Sequence, residues 1–133
     1  MGSKRILLVD DEPLVLRSMQ KTLLRAGFEV ETAPDCKTGL QRAHQALDAS
    51  APFDMAVLDL NMPGFDGAEA SGAGLELLSR LLSQQPGLPV IILSAYDEVE
   101  KARSAINRGA IGYCVKGREQ ALLAQIRDVF PSS

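Results

Sequence analysis

Asp10 and Asp11 stand side by side where the apolar run Ile6-Leu7-Leu8-Val9 ends, Asp59 closes a second such run, Ser94 closes a third, and Lys116 follows a fourth. Charges are costly to bury, so carboxylates set where a chain leaves its core call for a counter-charge. Three carboxylates gathered in one place repel one another. Hard oxygen donors of this kind suit Mg2+, which keeps several waters and shares its shell with phosphate. A lysine ammonium and a serine hydroxyl are groups that hold phosphoryl oxygens as charge develops on them. Brought together, these residue types would do phosphoryl chemistry. Asp59 would be the nucleophile, with the acid pair on one side of it and Ser94 and Lys116 on the other.

The elements needed to gather them are legible as five alternations of a short apolar run with a helical pattern. RILLVD, FEVETA, DMAVLDL, PVIILS and IGYCV have strand length and β-branched content, and three of them are almost continuously apolar, as strands covered on both faces are. Helices are expected over 13–26, 35–48, 75–85, 97–108 and 119–130. In the first, Val15, Met19 and Leu23 recur every four residues beside Leu16 and Leu24, and Pro13 suits a first-turn position where no amide donor is needed. Asp35 and Asp97 stand where amino-terminal caps belong, and Gly27 and Gly109 where a left-handed residue ends a helix. Five βα units with right-handed crossovers make a doubly wound α/β fold whose ligands bind at the carboxyl ends of the strands. Asp10, Asp11, Asp59, Ser94 and Lys116 all fall at that edge.

Composition narrows the function classes. A chain of 133 residues with 46% apolar residues suits one domain with one core. A net charge of −3 and a pI of about 5.1 argue against direct nucleic acid binding through phosphate neutralisation. No apolar stretch is long enough to enter a membrane, and MGSKR is too short for a signal peptide, so a cytoplasmic protein is expected. Cys36 and Cys114 lack metal or redox spacing and are expected as reduced, packed thiols. His44 lies on a polar helix away from the strand ends and has no assigned role. Lys101, Arg103 and Arg108 would form a docking stripe or a solvated helix face.

The blocks LLVDDEP, VLDLNMPGFDG, VIILSAYDE and GAIGYCVKG, in this order and on these elements, resemble the four signature blocks of bacterial response-regulator receiver domains, the chemotaxis-regulator-like phosphoacceptor modules of two-component systems. Tyr113 precedes Lys116 by three residues, as in that family. The resemblance covers nearly the whole chain. It implies a five-stranded, flavodoxin-like (βα)5 sheet in the order 2-1-3-4-5, spanning 4–130, with 1–3 a cloning remnant or disordered start and 131–133 a tail or the start of a linker. It implies that the phosphohistidine of a sensor histidine kinase or phosphotransfer protein donates to Asp59. Asp11, Asp59 and the backbone carbonyl of Asn61 would ligate Mg2+, or Mn2+ in its place, with Asp10 assisting through water. Ser94 would swing toward the aspartyl phosphate and Tyr113 turn inward. The face of helix four, strand five and helix five would then change its preference for an output domain, an effector protein or a second copy of the chain. Such a protein is a switch and not an enzyme in the usual sense, since it catalyses only its own phosphorylation and autodephosphorylation.

Some features depart from the family pattern. The family usually runs from the DG of its third block directly into xELL, whereas GAEASGAGLELL here brings another glycine, Gly74, seven residues after Gly67. The extra segment, 68–74, is expected as a neutral surface loop; the alternative is a flexible rim or an extended start to helix three that would slow entry of a partner to the site. Gly117 replaces a proline common after the lysine, so a cis bond is not expected there. Ser94 replaces the commoner threonine and keeps the hydroxyl. Tyr96, two residues past Ser94, would limit the approach of water to the phosphate. Two rival readings remain open. One is a receiver-like module that binds partners without phosphate. The other is an aspartyl-phosphate hydrolase of the haloacid-dehalogenase type, which Asn61 disfavours, because a proton-shuttling Asp belongs there.

Overall fold

A computed structural model describes residues 3–60, 62–63, 69–70, 73–95 and 98–130. In chain order the elements are β1 (Arg5–Val9), α1 (Pro13–Arg25), β2 (Glu29–Ala33), α2 (Cys36–Asp48), β3 (Met55–Asp59), β4 (Met62–Pro63), β5 (Glu69–Ala70), α3 (Ala73–Gln84), β6 (Val90–Ser94), α4 (Val99–Asn107), β7 (Gly112–Val115) and α5 (Glu119–Val129). Five strands form one parallel sheet in the order β2-β1-β3-β6-β7, so the five long strands, counted along the chain, lie in the expected order 2-1-3-4-5.

Alternation along the central strands divides the core into two layers. Leu7, Val9, Ala56, Leu58, Val90 and Ile92 meet Leu77, Leu78 and Leu81 of α3, together with Ala43 and Ala46 of α2. Ile6, Leu8, Met55, Val57, Ile91 and Leu93 meet Met19 and Leu23 of α1 and Leu122, Leu123 and Ile126 of α5. This is why β1, β3 and β6 read as unbroken apolar runs: both faces are covered. β2, at the edge, buries only Ala33. Cys36 lies in one layer and Cys114 in the other, and both thiols are free. Burial pushes the Cys36 thiol up to about 11 and raises that of Cys114 as well.

Local signals account for several element ends. Asp35 accepts the Thr38 amide at 2.7 Å and so caps α2. Pro13 opens α1, and Gly27 and Gly109 take positive φ after α1 and α4. The largest difference from expectation lies between β3 and β6. A two-residue antiparallel pair, β4 with β5, joins Met62 to Ala70 and Pro63 to Glu69, and α3 starts at Ala73, two residues before the expected Leu75. Its first turn is held by a tertiary hydrogen bond from Gly74 N–H to the Leu60 carbonyl at 3.1 Å, which apolar periodicity does not register. Asp97, expected as the cap of α4, lies outside the described residues, as do Asn61 and Tyr96 and most of the segment 64–72. Among the described residues no helix is long and apolar enough to cross a membrane.

Candidate functional site

The carboxyl ends of β1, β3, β6 and β7 form one edge of the sheet. Register places Asp59 opposite Leu93 and Ser94 opposite Val115. The ladder runs one residue past three of the strands, with Asp10 N–H on the Ala33 carbonyl at 3.1 Å, Leu60 N–H on Leu93 at 2.9 Å and Lys116 N–H on Ser94 at 2.9 Å. The backbone that carries the polar side chains is therefore part of the sheet. Gly117, at φ 91°, turns the chain directly after Lys116 in a conformation that L side chains rarely adopt.

Asp10, Asp59 and Ser94 are the buried polar side chains among the described residues. The Lys116 ammonium lies 3.2 Å from Asp10 Oδ2 and 3.3 Å from Asp59 Oδ2, and it also bonds Glu12 Oε1. One ammonium thus serves three carboxylates. Asp10 Oδ1 accepts the Glu12 amide at 2.9 Å, which is the plain turn-forming role of an aspartate at a strand end. Asp10 Oδ2 is buried and makes no hydrogen bond: the Lys116 ammonium lies close to it but donates to Oδ1, at 3.3 Å. Burial raises the Asp10 carboxyl above its ordinary value, against the opposing pull of the Glu12 amide and Lys116. Burial works against the Lys116 charge, but the Glu12 bond and the charges of Asp59 and Asp10 outweigh it and raise its pKa, so the ammonium stays protonated.

A carboxylate oxygen from each of Asp10, Asp11 and Glu12 lies within 4.8 Å of the others. The donors are all hard oxygens, Asp11 and Glu12 are open to water, and Asp10 offers a buried oxygen with no hydrogen bond. That set fits a divalent cation that retains waters, as Mg2+ does. Asp59 is not part of this triplet and is tied to Asp10 through the shared ammonium.

Glu12 directly follows the aspartate pair, but sequence spacing does not mark it as a site residue, because its grip on Lys116 depends on β7 lying across the sheet from β1. Glu98 is a second addition, because its Oε1 accepts the Ala95 amide at 2.9 Å and holds the chain just past Ser94. Tyr113 is exposed on β7, and its carbonyl accepts Gln125 Nε2 at 2.8 Å. His44 stays on the outer surface of α2, 3.4 Å from Asp48. Lys101 and Arg103 have acidic neighbours, Glu98 at 3.6 Å and Glu100 at 3.8 Å, which offset a basic stripe on α4.

Comparison with known proteins bears on the family and the fold. The family described as the response regulator receiver domain matches residues 6–127. The transcriptional regulatory protein QseB of Haemophilus influenzae is 37% identical over 112 residues, which cover 84% of this chain and 45% of that protein. The chain spans less than half the length of the curated relatives it matches. In structure it is similar to the chemotaxis protein CheY4 of Vibrio cholerae, with a TM-score of 0.81 and 30% identity, covering 97% of this chain and 100% of that one. It is also similar to the response regulator protein TrrA of Thermotoga maritima, solved in complex with Mg(2+)-BeF, with a TM-score of 0.75 and 27% identity over 96% of this chain and 99% of that one.

Proposed function

Because the chain belongs to the response regulator receiver domain family, we propose that residues 4–130 form a phosphorelay switch in which Asp59 accepts a phosphoryl group from the phosphohistidine of a sensor histidine kinase or phosphotransfer protein. The observation that carries this reading is the sharing of one ammonium, that of Lys116, by the buried carboxylates of Asp10 and Asp59 at the carboxyl edge of the sheet. An oxygen of Asp59 attacks phosphorus while the bond from phosphorus to the donor nitrogen breaks, and the electron pair of that bond returns to the leaving imidazole. Lys116, 3.3 Å from Asp59, meets the phosphoryl oxygens as it gives up part of its contact with Glu12 and Asp10. The Ser94 hydroxyl donates to the same oxygens. Asp11, Asp59 and the Asn61 carbonyl, with Asp10 behind them, are the groups that would hold Mg2+, or Mn2+ in its place. When bound, the cation supplies the positive charge that lets carboxylate and phosphoryl oxygens approach each other.

Phosphorylation then biases two states that exist beforehand. Ser94 moves toward the aspartyl phosphate, Tyr113 turns inward from its exposed position, and the face of α4, β7 and α5 changes its preference for an output domain, an effector or a second copy of the chain. The protein acts in the cytoplasm and turns over only its own phosphate. The test is intact mass after incubation with acetyl phosphate, with and without Mg2+, for the native chain and for Asp59→Ala. One added phosphoryl group that requires both Mg2+ and Asp59 is the expected result. No addition to the native chain would favour a phosphate-independent binding module.

A further inference from the structure

The chain leaves the sheet at Leu60 and returns to it at Gly74, in the first turn of α3, where the Gly74 N–H donates to the Leu60 carbonyl at 3.1 Å. Gly74 is buried there. A Cβ at this position would stand 2.3 Å from the carbonyl oxygen of Asp59, 2.8 Å from Leu60 Cα and 2.9 Å from the Leu60 carbonyl oxygen. All three are backbone atoms of the segment that carries the Asp59 side chain, so no rotamer change relieves the contact. The helix has little room to retreat. Leu77, Leu78 and Leu81 are fully buried beneath it, and the Cys36 thiol donates to the Ala73 carbonyl at 3.7 Å. On its other side the Asp59–Leu60 peptide is fixed through its N–H to Leu93 at 2.9 Å.

We infer that Gly74 is a positioning residue for Asp59: by lacking a side chain it lets α3 rest directly on the Asp59–Leu60 backbone and fixes where the carboxylate stands relative to Lys116. The inference rests on the reading of Asp59 as phosphoacceptor and deepens it. It also separates two things that the sequence runs together. Deleting residues 67–73 would join Asp66 to Gly74 and yield the same sequence as deleting 68–74, with a glycine still directly before Leu75. The need for glycine therefore belongs to the seat in front of Leu75 and not to the extra segment. Gly87 provides a control, because a Cβ there would meet open space.

The experiment compares the native chain, Gly74→Ala, the 67–73 deletion, that deletion carrying Gly74→Ala, and Gly87→Ala. The readouts are the phosphorylation rate against acetyl phosphate concentration at saturating Mg2+, followed by intact mass, and hydrogen exchange at the Leu60 amide. A displacement near 1 Å of a reacting group costs up to about 100-fold. Gly74→Ala is expected to lose about 10- to 100-fold in maximal rate, with a smaller change in the half-saturating acetyl phosphate concentration and faster exchange at Leu60. The deletion is expected to stay within about threefold of the native rate and to suffer the same loss once Gly74→Ala is added, while Gly87→Ala stays native. A folded Gly74→Ala chain at the native rate, or a folded deletion that is slow despite its glycine, overturns the inference. So does a Gly74→Ala chain that does not fold, because the glycine would then serve the whole fold and not the placement of Asp59. If the native chain takes no phosphoryl group, the phosphoacceptor reading fails and the exchange data decide alone: faster exchange at Leu60 supports the seat, unchanged exchange overturns it.

Discussion

At the amino-terminal end of the sheet Arg5 reaches Glu31 at 2.6 Å, covers the Phe53 ring at 4.7 Å and gives its amide to Asp54 at 2.8 Å, while Arg42 stands 3.9 Å from Glu31. At the opposite end the Lys116 ammonium faces Asp10, Glu12 and Asp59 together. Both groups set basic side chains against carboxylates at comparable distances. They differ in water and in balance: the side chains of Arg5 and Glu31 are 26% and 43% exposed, whereas those of Asp10 and Asp59 are 0% and 3% exposed. Two bases against two acids in water make a staple. An excess of acid in a dry setting costs stability and leaves negative charge that a cation would relieve. Charge imbalance under burial, more than the presence of ion pairs, distinguishes a site from a fastening.

The largest effect expected from disturbing this contrast is that of Lys116→Met. It removes the ammonium that Asp10 and Asp59 share, and breaking a buried pair from one side costs about 3–5 kcal/mol. Urea unfolding in a chelator should show that loss, and added Mg2+ should recover part of it. Asp10→Asn comes next and acts in the opposite sense. Asp10 binds its proton more tightly folded than unfolded, because burial raises its pKa. Its contribution to stability is therefore fully present below the unfolded value of 3.8 and is lost as pH rises through the higher folded pKa. Asparagine removes that loss while keeping an acceptor for the Glu12 amide. Thermal melts of Asp10→Asn without metal should thus be higher at neutral pH and flatter with pH, while Mg2+ affinity measured by calorimetry falls about 10- to 100-fold. Arg5→Ala should do least. It should lose about 1 kcal/mol relative to the native chain, the same loss with and without Mg2+, and show no change in phosphoryl uptake. A loss that changed with Mg2+ would show that the two ends are not independent.

Much of the fold could be read from local pattern because local pattern is what the sheet enforces. β1, β3 and β6 are apolar throughout since both layers of helices cover them, and Asp10, Asp59 and Ser94 stand out as the polar residues that end those runs. Asp35 and Gly27 announce helix ends because capping is decided within a turn. What local pattern does not show depends on segments that are far apart in the chain meeting in the fold. Glu12 looks like one more acid until β7 brings Lys116 to it, 104 residues away. Gly74 reads as a member of a flexible insertion until α3 is laid on β3, when it becomes the point of closest approach to the Asp59 backbone. The β4–β5 pair is two residues on each side, too short for any periodicity. Lys116 lacks the usual following proline, yet Gly117 makes the turn by positive φ and the ammonium arrives within 3.3 Å of Asp59.

The most direct measurement on the central claim is chemical trapping of the phosphorylated residue. An acyl phosphate is reduced by borohydride to an alcohol, so an aspartyl phosphate leaves homoserine where the aspartate stood. After treatment with acetyl phosphate and Mg2+, reduction and peptide mass spectrometry should find homoserine at position 59 and not at 10 or 11. Homoserine at Asp10 or Asp11, or at no aspartate, would contradict the account.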